Sequence, residues 1–267
     1  MVDIPFYWLD IFTSEPLKGN PAAVCIMKTD LEDSLYLSIA KELGLTETAF
    51  TEKIGESEYK LRWFTSRREV QLCGYATIAT AYTLAKEYGV KSPISFHTMS
   101  GVFPVEVEDN QVTINFPLYP TSYMKTTEDE RLLEPLGVED YIELRRSGGP
   151  LVYMVELNSH EQVRELNPDP RIRDLLKEMN VFFIIATASG EEPFDYVHRV
   201  FNQGGEDHGC GVAQCALGPY WRSKLGKSEM RSLQPSERGS EIFVELTDDA
   251  TRITGKATML IKGTLTI

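Results

Sequence analysis

The sequence is poor in cysteine: Cys25, Cys73, Cys210 and Cys215 are all that 267 residues contain. Four thiols in so long a chain do not make the framework of a small disulfide-stapled domain, and reduced cysteines are expected. No apolar run approaches the roughly 20 residues that a bilayer-crossing helix needs. The opening MVDIPFYWLD carries neither a basic stretch nor an apolar signal core. Positive charge is also short. Twenty-seven Lys and Arg stand against forty Asp and Glu, a formal net charge of −13, and no basic patch breaks the excess, so nucleic acid and anionic membranes are repelled. Low-complexity segments are missing too. A cytoplasmic protein without nucleic-acid or membrane partners is the expectation.

What is present is material for a core. Hydrophobic residues make up 42% of the chain, and its length suits one large domain or two ordinary ones. A repeat favours two. LCGYATIATAYTLAKEYG, from Leu72, and GCGVAQCALGPYWRSKLG, from Gly209, both open on Cys-Gly and close on glycine. Cys73 and Cys210 lie 137 positions apart, as do Gly74 and Gly211, Ala76 and Ala213, Ala79 and Ala216, and Gly89 and Gly226. The same offset pairs Tyr59 with Tyr196, Arg62 with Arg199, Phe64 with Phe201 and Glu69 with Glu206. Two ungapped copies of a strand, loop and helix point to a chain built of similar halves.

Apolar alternation predicts strands from Phe6, Ala22, Tyr59, Pro104, Leu151, Val181, Tyr196 and Glu241 and across the closing residues from Gly255, with a hairpin turn at Asp109 and Asn110. Helical periodicity predicts helices over Leu31 to Leu43, Tyr75 to Tyr88, Pro168 to Met179 and Val212 to Leu225. The helix after the first Cys-Gly is apolar nearly all round, the mark of a buried helix. The expected fold is α+β: two pseudo-symmetric lobes, each a curved, mostly antiparallel sheet or barrel around one central helix. The lobes are placed at residues 1–119, completed by a strand over 256–267, and 120–255, with the polar stretch Thr121 to Asp129 as the link.

A helix start presents unpaired backbone N–H groups and positive partial charge, so it can hold a carboxylate and lower the pKa of a cysteine. With both starts opening towards a cleft between lobes, a bound carboxylate would make its neighbouring carbon more acidic, because fixed donors stabilise the charge left when a proton departs. Proton transfer at carbon is the chemistry this pattern suggests.

DIFTSEPLKGNPAAV, LGLTETAF, LRWFT, LCGYATIATA and GKATMLIKGTLTI together resemble the PhzF-like (phenazine biosynthesis) family, within the diaminopimelate epimerase fold superfamily. The resemblance runs from about Asp10 to the last residues. It implies the two-lobed fold, an active site between lobes, no organic cofactor, a small carboxylate-bearing substrate and a homodimer. The family's base, the glutamate of S-E-T-A-F, falls on Glu47, with Thr46 beside it. Asn20 and Pro21 of GNPAAV become candidates for the cleft wall. Where the family reads C-G-H-A-T and E-D-P-V-T-G-S-A, this chain reads CGYAT and EDHGCGVA. Glu206, Asp207, Gly211 and Ala213 match, whereas Tyr75 replaces a histidine and Val212 a serine. Cys73 and Cys210 stand where the epimerases of the superfamily carry their catalytic pair.

Three readings follow. In the first, an isomerase uses Glu47 as base, the N–H groups of Gly74 and Gly211 as anion donors and Asp207 to orient the substrate, with Asn20, Thr46, Tyr75 and Val212 lining the site. A racemase or epimerase using Cys73 and Cys210 is the second. The third is a decayed binding module. Each residue also has a plain alternative: Glu47 and Asp207 as capping or loop carboxylates, the cysteines as small buried hydrophobes, Tyr75 as packed aromatic. His208 with Cys210 and Cys215 lacks a fourth ligand nearby, so no metal is expected. GGEDHGCG lacks the spacing of a phosphate loop.

Overall fold

The computed structural model describes residues 1–123, 130–148 and 151–267. It divides into two compact units, Met1–Asn115 with Ile253–Ile267, and Phe116–Arg252. The expected link, Thr121 to Asp129, lies outside the described residues from position 124 onward. The dividing points carry no turn signal because a strand runs through each of them: Gln111–Pro117 through one and Ala250–Thr266 through the other.

In the first unit, β1 (Asp3–Ile11), β2 (Asn20–Met27), β3 (Thr48–Lys53), β4 (Glu58–Phe64), β6 (Ile94–Thr98), β7 (Gly101–Glu108), β8 (Gln111–Pro117) and β17 (Ala250–Thr266) pair in a closed circuit. The β8 and β17 seam includes Thr113 Oγ1 at 2.7 Å from Thr254 Oγ1 and the Ala257 N–H donating to Asn110 O at 3.3 Å. Closure removes free edges. Most neighbours are antiparallel, with β2 and β3, and β4 and β6, parallel. The Asp109-Asn110 hairpin is present, with Asp109 at φ +53°.

The helix α2 (Gly74–Tyr88) packs against β1, β2, β3 and β7, and ten of its residues are buried. Three of them are threonines, which would strand hydroxyls in an apolar core. Each hydroxyl instead donates to the carbonyl four residues back: Thr77 to Cys73 at 2.6 Å, Thr80 to Ala76 at 2.7 Å, Thr83 to Ala79 at 2.8 Å. Gly89, left-handed at φ +63°, ends the helix. α1 (Asp33–Leu43) covers the other face of the sheet, where Tyr36, Ile39 and Ala40 meet Phe50 and Phe64.

The second unit repeats the pairing signs. β11 (Val152–Glu156) runs parallel to β12 (Phe183–Ser189), β12 antiparallel to β13 (Tyr196–Asn202), β13 parallel to β15 (Glu229–Gln234), and β15 antiparallel to β16 (Ser240–Leu246). β9 (Thr121–Tyr123) and β10 (Glu143–Ser147) extend this sheet beside β11. Its central helix, α6 (Gln214–Leu225), ends on left-handed Gly226, the partner of Gly89. From α6, Tyr220 O–H reaches Glu143 of β10 and Glu156 of β11, and Trp221 N–H reaches Thr187 of β12 at 3.0 Å. Pro219 lies inside this helix and cannot donate to Cys215 O; the Tyr119 N–H donates to it instead at 2.8 Å.

The predicted helix from Val212 begins later than expected. The N–H groups of Gln214, Cys215 and Ala216 bond to carbonyls three residues back, a tight turn that delays the α-helix to Gln214. Three short helices add to the described residues: α3 (Leu133–Leu136), α4 (His160–Glu165) and α5 (Arg171–Glu178). Only α5, whose Ile172 and Leu176 face the core, carried enough periodicity to be read in advance.

Candidate active site

Both Cys-Gly turns are launched by the same local device. In the first unit β4 pairs with β5 (Glu69–Val70) through Trp63 opposite Val70 and Phe64 opposite Glu69. In the second, β13 pairs with β14 (Gly205–Asp207) through Val200 opposite Asp207 and Phe201 opposite Glu206. Every one of these residues has its counterpart at the 137-residue offset. Arg62 holds Glu69 through Nε (2.8 Å) and Nη2 (2.7 Å), and Arg199 holds Glu206 through Nε (2.7 Å) and Nη2 (2.8 Å). The guanidinium carbons lie 5.0 Å over the Phe64 ring and 5.2 Å over the Phe201 ring. The spaced Arg, Phe and Glu of the repeat are thus a two-pronged ion pair roofing an aromatic ring, which pins the return strand just before each turn.

In the first unit, Cys73 is the buried N-cap of α2, extended at φ −144°, and its side chain makes no capping bond. Its carbonyl accepts from the Thr77 N–H at 3.2 Å. The N–H groups of Gly74, Tyr75 and Ala76 precede the first intrahelical acceptor and point out of the helix start. Gly74 and Tyr75 are both buried. Glu47 stands immediately before β3, half-buried, with its Oε2 shielded from solvent. Asn20 opens β2 opposite Ile11 and is buried. The structure therefore places Asn20 on β2, Glu47 just before β3 and Tyr75 on α2, mutually packed elements of one unit. Thr46 is exposed. Gly19 has a local reason to be glycine: at φ +65°, an added Cβ would lie 2.2 Å from Ile11 O.

In the second unit, Asp207 ends β14 and Cys210 lies buried three residues on. Burial pushes the Cys210 thiol well above its ordinary value, and the neighbouring Asp207 carboxylate pushes it further. The turn is gripped from β15, the loop after it and the first residue of β16. Gln234 Nε2 donates to Asp207 O, Gln234 Oε1 accepts the Cys210 N–H at 2.8 Å, and the Ser236 and Ser240 hydroxyls donate to His208 O at 2.9 and 2.7 Å. Asp207 Oδ1 accepts the Gly209 N–H at 3.1 Å. The Cys210 N–H is therefore spent on Gln234, while Gly211 and the half-buried Val212 start the tight turn into α6. Below it, His198 is fully buried between Ser232 Oγ (2.9 Å) and Gln214 Nε2 (3.1 Å), and burial lowers its pKa to about 3, so it stays neutral.

Three residues escape the sequence reading: Trp63, Ser232 and Gln234. Trp63 lies in LRWFT, and a strand-buried indole raises the question of where its N–H goes. Gln234 and Ser232 occupy the buried phase of β15 beside Met230, and polar residues at core phase are the signal that would have found them. Among the described residues one set of metal-ligand atoms converges within 4.8 Å, His160, Glu161 and Glu191; its two carboxylates are exposed and pair with the imidazole.

A profile of the phenazine biosynthesis-like protein family (PhzC-PhzF) matches residues 9–263. A protein of Halalkalibacterium halodurans named as an uncharacterized isomerase is 34% identical over 272 residues, covering 99% of each chain. The crystal structure of a PhzF-family protein from Enterococcus faecalis superposes with a TM-score of 0.90 at 33% identity over 100% of both chains. A predicted epimerase from Pseudomonas aeruginosa, 19% identical with a TM-score of 0.78 over 98% of this chain and 99% of its own, shares the fold.

Proposed function

The chain belongs to the phenazine biosynthesis-like family, an isomerase-type enzyme family, and on that premise we propose that it is a cofactor-independent isomerase moving a proton at carbon in a small carboxylate-bearing substrate, with Glu47 as the base. The observation that carries this reading is the placement of Glu47: a half-buried carboxylate with a shielded oxygen, immediately before a strand that packs against a buried helix. Partial desolvation raises a carboxylate's affinity for a proton, as abstraction from carbon requires. The backbone N–H groups at Gly74 and Gly211 bind the substrate anion, Asp207 orients the substrate, and Asn20, Thr46, Tyr75 and Val212 complete the lining. The cytoplasmic homodimer implied by the family resemblance belongs to the same reading.

The racemase alternative needs one thiolate and one thiol of comparable acidity. Cys210 is poorly suited to be either partner, because burial and Asp207 both hold its proton in place. Incorporation of solvent deuterium into a panel of amino acids and cyclic carboxylates separates the readings. Glu47→Gln should lower exchange by about 10²–10⁴-fold, while Cys73→Ser and Cys210→Ser retain it. The reverse pattern establishes the thiol pair, and exchange by no variant for acids that bind establishes a binding module.

A further inference from the structure

Besides Thr48 Oγ1, the first unit's buried side-chain donors with no hydrogen-bond partner among the described residues include Trp63 Nε1 and Tyr75 OH. Trp63 and Tyr75 are 1% and 5% exposed. Buried donors are almost always paired, and an orphan calls for an explanation specific to its place. The place here is particular. Alternation along β4 sets Tyr59, Leu61 and Trp63 on the barrel's inner face, opposite to Arg62 and Phe64, which stack together on the outside. Trp63 stands opposite Val70, from which the chain runs directly into α2. Tyr75 is the second residue of that helix. Side chains on a helix lean towards its N-terminus, the end whose first N–H groups have no intrahelical acceptor.

Trp221 provides an internal contrast. It is equally buried on the other central helix, and its indole N–H is satisfied by Thr187 Oγ1. An indole N–H can only donate, and the Tyr75 O–H, which has no hydrogen-bond partner among the described residues, likewise has a proton to give.

We propose that Trp63 and Tyr75 are substrate-binding residues: their two side-chain donors, together with the first N–H groups of α2, form a receptor for an oxyanion or carbonyl oxygen of the acid, lying wholly within the first unit. The receptor rests on the reading of the protein as an enzyme of carboxylates and names side chains that complete its anion site. It also assigns Tyr75 a task that needs no titration near neutral pH, unlike the histidine it replaces in the family pattern. In the free protein the two donors are a standing cost, and ligand binding removes it.

The test uses Trp63→Phe and Tyr75→Phe, which delete a donor and keep an aromatic ring. Deleting an unsatisfied donor should raise the thermal midpoint of the free protein by about 2–4 °C, whereas a merely structural donor would lower it. In ¹⁵N-labelled protein, the Trp63 indole cross-peak, identified by its loss in Trp63→Phe, should shift on titration with at least one of acetate, benzoate, proline or 2-aminobenzoate, while that of Trp221 stays still. Tyr75→Phe should weaken that titration about tenfold. A lowered midpoint in both variants, or a Trp63 peak unmoved by all four acids, overturns the proposal. Glu47→Gln keeps the two readings apart: it should lower deuterium exchange by about 10²–10⁴-fold and preserve the Trp63 shift. Exchange surviving in Glu47→Gln defeats the assignment of the base alone, and loss of exchange with an unmoved indole defeats the receptor alone.

Discussion

Replacing Glu206 by Gln should destabilise the protein more than replacing Glu69, although the two occupy the same position of the repeat. Each glutamate holds its arginine through two bonds of 2.7–2.8 Å. Unit charges about 4 Å apart at an effective dielectric near 20 attract by roughly 4 kcal/mol, and removing one member of a buried pair costs about 3–5 kcal/mol because the other is stranded. Arg199 and Glu206 keep 11% and 21% of their side-chain surface in solvent, which brings the expected loss to about 2–3 kcal/mol. Arg199 has no second carboxylate among its bonds; its Nη1 is committed to the carbonyls of Val163, Arg164 and Leu166 at the end of α4. Arg62 instead retains Asp33 at 2.8 Å and Asp30 at 3.9 Å. These are exposed partners, yet enough to hold the guanidinium, and Glu69→Gln should cost about 1 kcal/mol. Urea unfolding, read as the midpoint at unchanged slope, measures both. The double variant Arg199→Met with Glu206→Leu should recover part of the loss, since no charge is left buried, though the α4 carbonyls remain to be solvated. Equal losses for Glu69→Gln and Glu206→Gln, or a larger loss for Glu69→Gln, would refute the argument that the second carboxylate set protects Arg62.

Other outcomes follow from the same geometry. Gly19→Ala should lower stability by about 2 kcal/mol or more in thermal unfolding, because a Cβ at φ +65° meets the Ile11 carbonyl and the turn before Asn20 has to move. His198 is held neutral, with its pKa lowered to about 3, so the unfolded chain binds the extra proton first as pH falls. Stability is then complete above about pH 6.5 and declines by up to about 1.4 kcal/mol per pH unit towards pH 3; His198→Asn should flatten that part of a pH series of denaturation midpoints. Gln234→Leu frees the Cys210 N–H and the Asp207 carbonyl. It should reduce deuterium exchange about tenfold or more with little change in half-saturating substrate, a loss of positioning rather than of binding.

Much of the fold was legible residue by residue. Gly44, Gly89 and Gly226 end their helices in left-handed conformation, and a glycine after an apolar-periodic run is a signal that operates within a single turn. Strand phases were readable for the same reason: Phe50 and Phe64, on one side of β3 and β4, meet α1, while Ala49 and Leu61 face inward. The repeated Tyr, Arg, Phe and Glu were visible as a pattern but not as an object, since nothing local says that Glu69 folds back opposite Phe64 to grip Arg62. Pro219 would argue for a broken helix; only a backbone amide arriving from Tyr119, nearly a hundred residues away, makes it tolerable. The late start of α6 at Gln214 was equally hidden, because the preceding turn is tightened by clasps from Gln234, Ser236 and Ser240.

The sequence by itself determined the glycines on which the main helices close, the inward and outward phases of the strands and the existence of two related halves, because backbone sterics and side-chain periodicity act over a few residues. Tertiary structure alone decided that burial and Asp207 push the Cys210 thiol upward, that Cys210 spends its N–H on Gln234 and that Trp63 and Tyr75 are left with donors to offer. Hydrogen-bond satisfaction and desolvation are sums over everything packed around an atom, and those neighbours come from distant parts of the chain.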